Sequence, residues 1–357
     1  MHFDPLQPPP LLTANLPGIG GRIKAHVEDF EVEEIPAYEP CGAGDHLFLW
    51  LEKRGMGAEF FQRQVARRLD IPTGEVGTAG LKDRHAVTRQ WISVPASVED
   101  RIAVLGGDGI SVLIVSRHTN KLKPGHLRGN RFSILIRDVD PAANGRLPPI
   151  LDRLRTEGLA NYYGIQRFGR DGETAGLGMD LLTGGKTKVR NAFLKKLALS
   201  AAQAVLFNEY LGRRLIDGLL LCVLPGDVMC KWPAGGMFVT KDVAAEQARF
   251  NAREIVHAGP IFGRKTFPAA DQAAARETEV LRDAGLTLAS FQGFGKLVQG
   301  TRRHNLVYCD DLAAQVDAEG VRLTFSLPAG SYATVLLREI TKTESEGERF
   351  EHQEETS

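Results

Sequence analysis

In "GRIKAHVEDFEVEEIP" apolar Ile23, Val27, Phe30 and Val32 alternate with polar neighbours, a period that predicts a strand pair. "HLFLWLEKRG" reads as a strand followed by turn chemistry. Residues 56–69 switch to helical spacing at Phe60, Phe61, Val65 and Leu69, and Pro72 and Gly74 stop the helix. Strands are predicted at "TRQWISVPA", "GISVLIVSRH" and "GNRFSILIRDV", the last alternating at Phe132, Ile134 and Ile136. "PILDRLRTEGL" predicts a helix ended by Gly158.

The pattern changes near Leu159. "NYYGIQRFGRDGETAGLGMDLLTGG" is rich in glycine and aromatics, and residues 188–221 are helical with an apolar stripe through Leu194, Leu197, Leu206 and Leu211. "DVAAEQARFNAREIVHAG" and "ADQAAARETEVLRDAGL" predict two further helices. Strand signals return at "RHNLVYCDDLAAQV", "VRLTFSLPAG" and "YATVLLREI". A strand-rich region interrupted by a helix-rich one implies an α+β protein with one domain inserted into another. The expected boundaries are an irregular segment 1–20, a discontinuous domain 21–158 and 305–341, an insert 159–304, and a polar, acidic tail 342–357 expected to be disordered.

Length and composition add little that conflicts. The 357 residues suffice for about two domains, and 43% are hydrophobic. Charges balance at 44 basic and 44 acidic, so an anionic partner must be met by a local basic face. The four cysteines, Cys41, Cys222, Cys230 and Cys309, lack zinc-ligand spacing and read as reduced thiols. The N-terminus lacks the charged and apolar regions of a signal peptide, and no apolar run approaches the ~20 residues of a membrane helix. A cytoplasmic protein away from membranes is expected, and the lack of a heptad or exposed apolar stripe points to a monomer without an obligatory protein partner.

Candidate chemistry starts from a basic stretch. "RHTNKLKPGHLRGNRFSILIR" carries Lys121, Lys123, Arg128 and Arg131 and no acid, as a phosphate-binding face requires, although a solvated hairpin has the same composition. "KTKVRNAFLKK" and "TRRH" extend the positive charge and favour a long anionic ligand. Phe132 beside these cations is either a core aromatic or a ring for stacking an unpaired base, worth roughly 1–3 kcal/mol per base. Asn130 is either a turn former or a hydrogen-bonding group for a base edge. Asp83, in "GTAGLKDRHAVTRQW", sits among Lys82, Arg84 and His85. It is either part of a surface ion-pair loop or a carboxylate held ionised to act as nucleophile or base. A glycosidase-type acid pair, a P-loop, a zincin helix, a nucleophile elbow and a dinucleotide fingerprint are all missing from the sequence.

Taken in order, "IKAHVEDFEVEE", "AGLKDRHAVTRQW", "NKLKPGHLRGNRF", "NYYGIQRFG" and "LPAGSYATVLLRE" resemble the motifs of the tRNA pseudouridine synthase D, or TruD, family across residues 21–340. The resemblance implies a pseudouridine synthase fold with a mixed, mainly antiparallel sheet, an inserted α/β TRUD lobe, and isomerisation of uridine to pseudouridine at position 13 of the tRNA D arm. It implies Asp83 as nucleophile, Lys24 as the basic residue that pairs with and orients it, and Phe30, Asn130, Phe132 and Tyr332 as substrate contacts. RNA backbone contacts are expected from Arg84, Lys121, Lys123, Arg128 and Arg131. The implied reaction has no redox change, so no cofactor and no metal are expected. The base must leave its stack and stay trapped while detached. Asp83 attacks C1′, promotes a glycal, or adds to C6; the residues do not choose. The competing reading is a structured-RNA-binding protein without activity.

Overall fold

The computed structural model describes residues 4–185 and 189–343. The acidic tail beyond Thr343 and the first cations of "KTKVRNAFLKK" lie outside the described residues. The chain opens with β1 (Gly20–Arg22), β2 (Phe30–Pro36), β3 (His46–Arg54), α1 (Ala58–Leu69), β4 (Gly77–Thr78), β5 (Val87–Pro95), β6 (Ile110–His118), β7 (Leu127–Val139) and α2 (Ala143–Glu157). It continues through β8 (Leu159–Ala160), α3 (Glu173–Leu182), α4 (Ala192–Ile216), β9 (Val228–Lys231), β10 (Met237–Val239), α5 (Val243–Asn251), β11 (Ile255–Ile261) and α6 (Asp271–Asp283). It closes with β12 (Thr301–His304), β13 (Leu306–Val307), β14 (Ala313–Asp317), β15 (Gly320–Pro328) and α7 (Ala333–Thr341).

The fold is α+β. The strands before Asp140 and after Leu312 share one nine-stranded sheet in the order β14-β15-β7-β2-β5-β3-β6, with β1 on β7 and β4 on β5. Its pairs are antiparallel except β2–β5, so the sheet is mixed and mainly antiparallel. Between these strands the chain builds a second sheet, β10-β9-β11-β12, and the small pair β13-β8. One apolar cluster runs from Phe30, Ile134 and Phe325 to Phe207, Met229 and Ile255, so the two sheets share buried contacts.

Four local expectations change. Residues 21–36 are not a strand pair: β1 joins β7, β2 lies between β7 and β5, and a 3-10 turn at Val27–Asp29 separates them. Asp29 is the cause, because its buried carboxylate takes His26 N at 2.9 Å and the Arg137 guanidinium at 2.7 Å, which breaks the strand. Phe60 is 47% exposed, and α1 packs through Phe61, Val65 and Leu69 instead. "DVAAEQARFNAREIVHAG" is helical only to Asn251; its apolar end becomes β11, buried between β9 and β12. "YATVLLREI" is α7, not a strand: buried Ala333, Leu336, Leu337 and Ile340 follow the i, i+3, i+4, i+7 spacing of one helix face.

The edge strand β6 leaves Leu113, Ile114 and Val115 exposed, an apolar stretch the periodicity did not reveal. No helix of the described residues is long and apolar enough to cross a membrane.

Candidate active site

Register alone gathers several of the predicted residues. Side chains alternate along a strand and directly paired residues share a face. Phe30 pairs with Ile134, Val32 with Phe132 and Glu34 with Asn130, while Phe132 and Asn130 pair with Phe325 and Leu327. Phe30, Phe132 and Asn130 therefore share one face of the nine-stranded sheet. Phe132 stacks on Phe325 at 5.1 Å and meets Phe30 edge-on at 6.3 Å. Lys24, held at φ +55° after β1, sets its ammonium 4.8 Å from the Phe30 ring. Gly129 permits the β7–β15 approach, since a Cβ there would lie 2.2 Å from Leu327 O. The buried Asn130 Oδ1 accepts no hydrogen bond from the protein. A buried acceptor left open in this way favours a ligand donor.

The Asp83 loop is tied down from two sides. Lys82 Nζ lies 2.7 Å from Glu34 Oε2, both side chains buried, and Glu34 is the register partner of Asn130. Lys53, fully buried on β3, donates to Asp83 O at 3.1 Å and to Met56 O. Burial pulls the Lys53 ammonium down to about 8, partly offset by the charge of Asp83. Burial raises the Glu34 carboxyl, opposed by Lys82. Asp83 itself is half-buried, beside half-buried Arg84.

Tyr332 stands at the N-cap of α7, 5.8 Å from the Tyr163 ring. Burial pushes its phenol up, against the pull of Arg167 and Arg303. Its turn adjoins β7, since Ala329 N donates to Arg128 O at 2.9 Å. Gly164 makes the contact possible, because a Cβ there would lie 2.9 Å from Tyr332 Cδ1.

The expected backbone contacts are not all on this face. Arg131 sits one residue out of phase with Asn130 and faces Glu33 at 3.7 Å on the opposite side of the sheet. Lys121 is engaged by Gly74 O and lies 3.8 Å from Glu75, while Lys123 and Arg128 are exposed or partly so. Among the described residues no group of three potential metal ligands occurs.

The family model of tRNA pseudouridine synthase D matches residues 10–192 and 186–340. The chain belongs to the TruD family. It is 44% identical over 342 residues to the tRNA pseudouridine synthase D of Anaeromyxobacter dehalogenans strain 2CP-1, covering 94% of this chain and 97% of that one. It is 41% identical over 337 residues to the enzyme of that name from Thermus thermophilus, covering 94% and 93%. A solved structure from Methanosarcina mazei carrying the TruD name superposes with a TM-score of 0.76 at 23% identity over 94% of this chain and 96% of that one, which shows the shared fold.

The sequence reading of this TruD chain missed Lys53 and Glu34. Both stand in strands whose polar positions look solvent-facing, and the loop of Lys82 and Asp83 lies against both of them. It also assigned no role to Asn161, Tyr163 and Arg167, and Arg303 entered it only as part of the basic "TRRH" cluster.

Proposed function

We propose that the chain isomerises a uridine of tRNA to pseudouridine, at position 13 of the D arm, with Asp83 as the nucleophile. The observation that carries this reading is the doubly anchored Asp83 loop beside the face that bears Asn130's open acceptor. Membership of the TruD family supports it. Anchoring at Lys82 and at the Asp83 carbonyl fixes the backbone from which the carboxylate projects, as a near-attack geometry requires.

The N1–C1′ bond breaks, the uracil turns, and C5 bonds to C1′. The C5 proton leaves to solvent and N1 regains one, so atoms and charge balance without a redox partner. Attack at C1′, glycal formation and addition at C6 all require one ionised, positioned carboxylate. Lys24 beside Phe30 supplies positive charge to hold it ionised. Phe30, Phe132 and Tyr332 form the aromatic surroundings of the flipped base, and Asn130 accepts from its edge. Lys123 and Arg128, with Arg84, meet the RNA backbone, and the segment 159–304 forms the second lobe around it. A tRNA substrate supports a cytoplasmic enzyme.

The test is tritium release from tRNA transcripts labelled at uridine C5. Wild type should release tritium, and Asp83→Asn should bind the same tRNA while losing turnover by several orders of magnitude. Normal release by Asp83→Asn would overturn the role of Asp83. Binding without release by wild type would leave an RNA-binding protein.

A further inference from the structure

Several arginines packed into this protein end on carboxylates. Arg214 lies 2.6 Å from Asp227, Arg137 is held 2.7 Å from Asp29, and Arg302 is paired with Glu277. Arg303, the next residue along β12, differs. Its Nε donates to Asn161 O at 2.9 Å and its Nη2 to Asn161 Oδ1 at 2.7 Å, and its guanidinium lies 4.1 Å from the Tyr163 ring. None of the described carboxylates pairs with it. Desolvation lowers its proton affinity, as expected for a cation with no counter-charge.

A second arginine repeats the pattern. Arg167 reaches Ser200 Oγ and sits 6.0 Å from the same Tyr163 ring, and its buried Nε has no hydrogen-bond partner. No described carboxylate is paired with Arg167 either. Both cations act on the Tyr332 phenol. The support is rigid: Asn161 is buried, its Nδ2 donates to His304 O at 2.9 Å, and Ser331 Oγ donates to its Oδ1 at 2.9 Å. Asn208 brackets Tyr163 from both sides, accepting from its N at 2.8 Å and donating to its O at 2.9 Å.

Two guanidiniums ordered against one aromatic plane, with an unfilled donor and no counter-ion, suit an oxyanion with two free oxygens that both can reach, as a phosphodiester has. A solvated charge would need no such scaffold, and a structural one would be paired as Arg302 is. We propose that Arg303 and Arg167 bind one phosphodiester of the RNA backbone next to the uridine that Tyr332 contacts. This rests on the tRNA reading above and specifies it. The site clamps the strand at a fixed distance from the Asp83 loop, through the turn that joins β15 to α7.

The experiment uses the full-length protein and tRNAs carrying single uncharged methylphosphonate linkages on either side of the target uridine. Affinities are compared for wild type, Arg303→Gln and Arg167→Gln. One linkage should weaken wild-type binding roughly tenfold, and the same linkage should cost Arg303→Gln nothing further. The salt slope of Arg303→Gln should also fall by about one phosphate contact. Arg167→Gln, whose side chain gives up one hydroxyl bond and a 6.0 Å ring contact in the protein, repeats the cycle should Arg303→Gln melt early. Penalties that add at every linkage, with an unchanged salt slope, would overturn the site while leaving the enzyme reading intact. A wild type that does not bind tRNA would overturn both.

Discussion

The Lys53 ammonium is buried with only carbonyl oxygens, those of Met56 and Asp83, as hydrogen-bond partners. Burial lowers its proton affinity to about 8 from the ordinary 10.5. Between those values the unfolded chain holds a proton that the native chain has released, so this group makes stability rise with pH across about pH 8–10.5. The rise is on the order of 3 kcal/mol. Below pH 8 both states are charged and the full burial cost remains. Buried Tyr162, Tyr210 and Cys309 are pushed up and act in the opposite sense above about pH 9, so the difference between two variants isolates Lys53. Urea unfolding at pH 7 to 10 should show the rise in wild type relative to Lys53→Met; parallel profiles would mean the ammonium is not desolvated. Turnover should decline through about pH 8 as the charge beneath the Asp83 loop is lost. Asp83, Lys24 and Asn130 could be singled out in the sequence because each lies in a long ordered motif. Lys53 in "LEKRG" was not, because a strand's sequence gives no sign of which polar residue a distant loop will cover.

The proposed site draws most on β7, and the two β7 residues assigned to it should respond differently. Phe132 is 6% exposed and wedged between Phe30 and Phe325, so Phe132→Ala should cost about 3–5 kcal/mol of stability in addition to any loss of activity. Asn130 Oδ1 makes no bond within the protein, so Asn130→Ala should change stability by less than about 1 kcal/mol. Its tritium-release rate should nevertheless fall about tenfold or more, the worth of one lost hydrogen bond in a dry site. Melting curves beside release assays check both, and an active, unstable Asn130→Ala would reverse the assignment. Most strands of the sheet were legible because β7 alternates at Phe132, Ile134 and Ile136, while β3 and β5 carry short apolar runs rich in aromatic and β-branched residues. The helix α7 was not. Its Val335, Leu336, Leu337 and Ile340 have strand-like composition, and the helical spacing is recognisable only once "PAGSY" is seen to turn the chain away from β15. Tertiary packing of one face overrides the weak β preference of such residues.

At the scale of the whole molecule the two ends of the described chain are fastened together, which no local pattern announced. Buried Glu339 on α7 accepts Leu12 N at 2.8 Å and Thr13 N at 3.0 Å, and Lys342 Nζ donates to Glu339 O at 2.7 Å. Leu12 and Ile19 enter the same apolar cluster as Phe30 and Phe132. The proline-rich start, although residues 4–19 hold no helix or strand, is therefore packed into the body of the protein. Glu339→Ala would leave two buried N–H groups without an acceptor, and charged hydrogen bonds of this kind are worth about 1.5–3 kcal/mol each. A loss of about 3 kcal/mol in urea unfolding is expected, with faster proteolysis at residues 4–13. The same helix carries Tyr332 at its N-cap, so loosening its far end should raise the KM for tRNA while changing kcat less. A deletion of residues 1–13 should reproduce the stability loss and the raised KM without touching α7. If the truncated protein melts with wild type and keeps its KM, the tie between the chain ends is incidental and Tyr332 is positioned by Tyr163 and Gly164 alone.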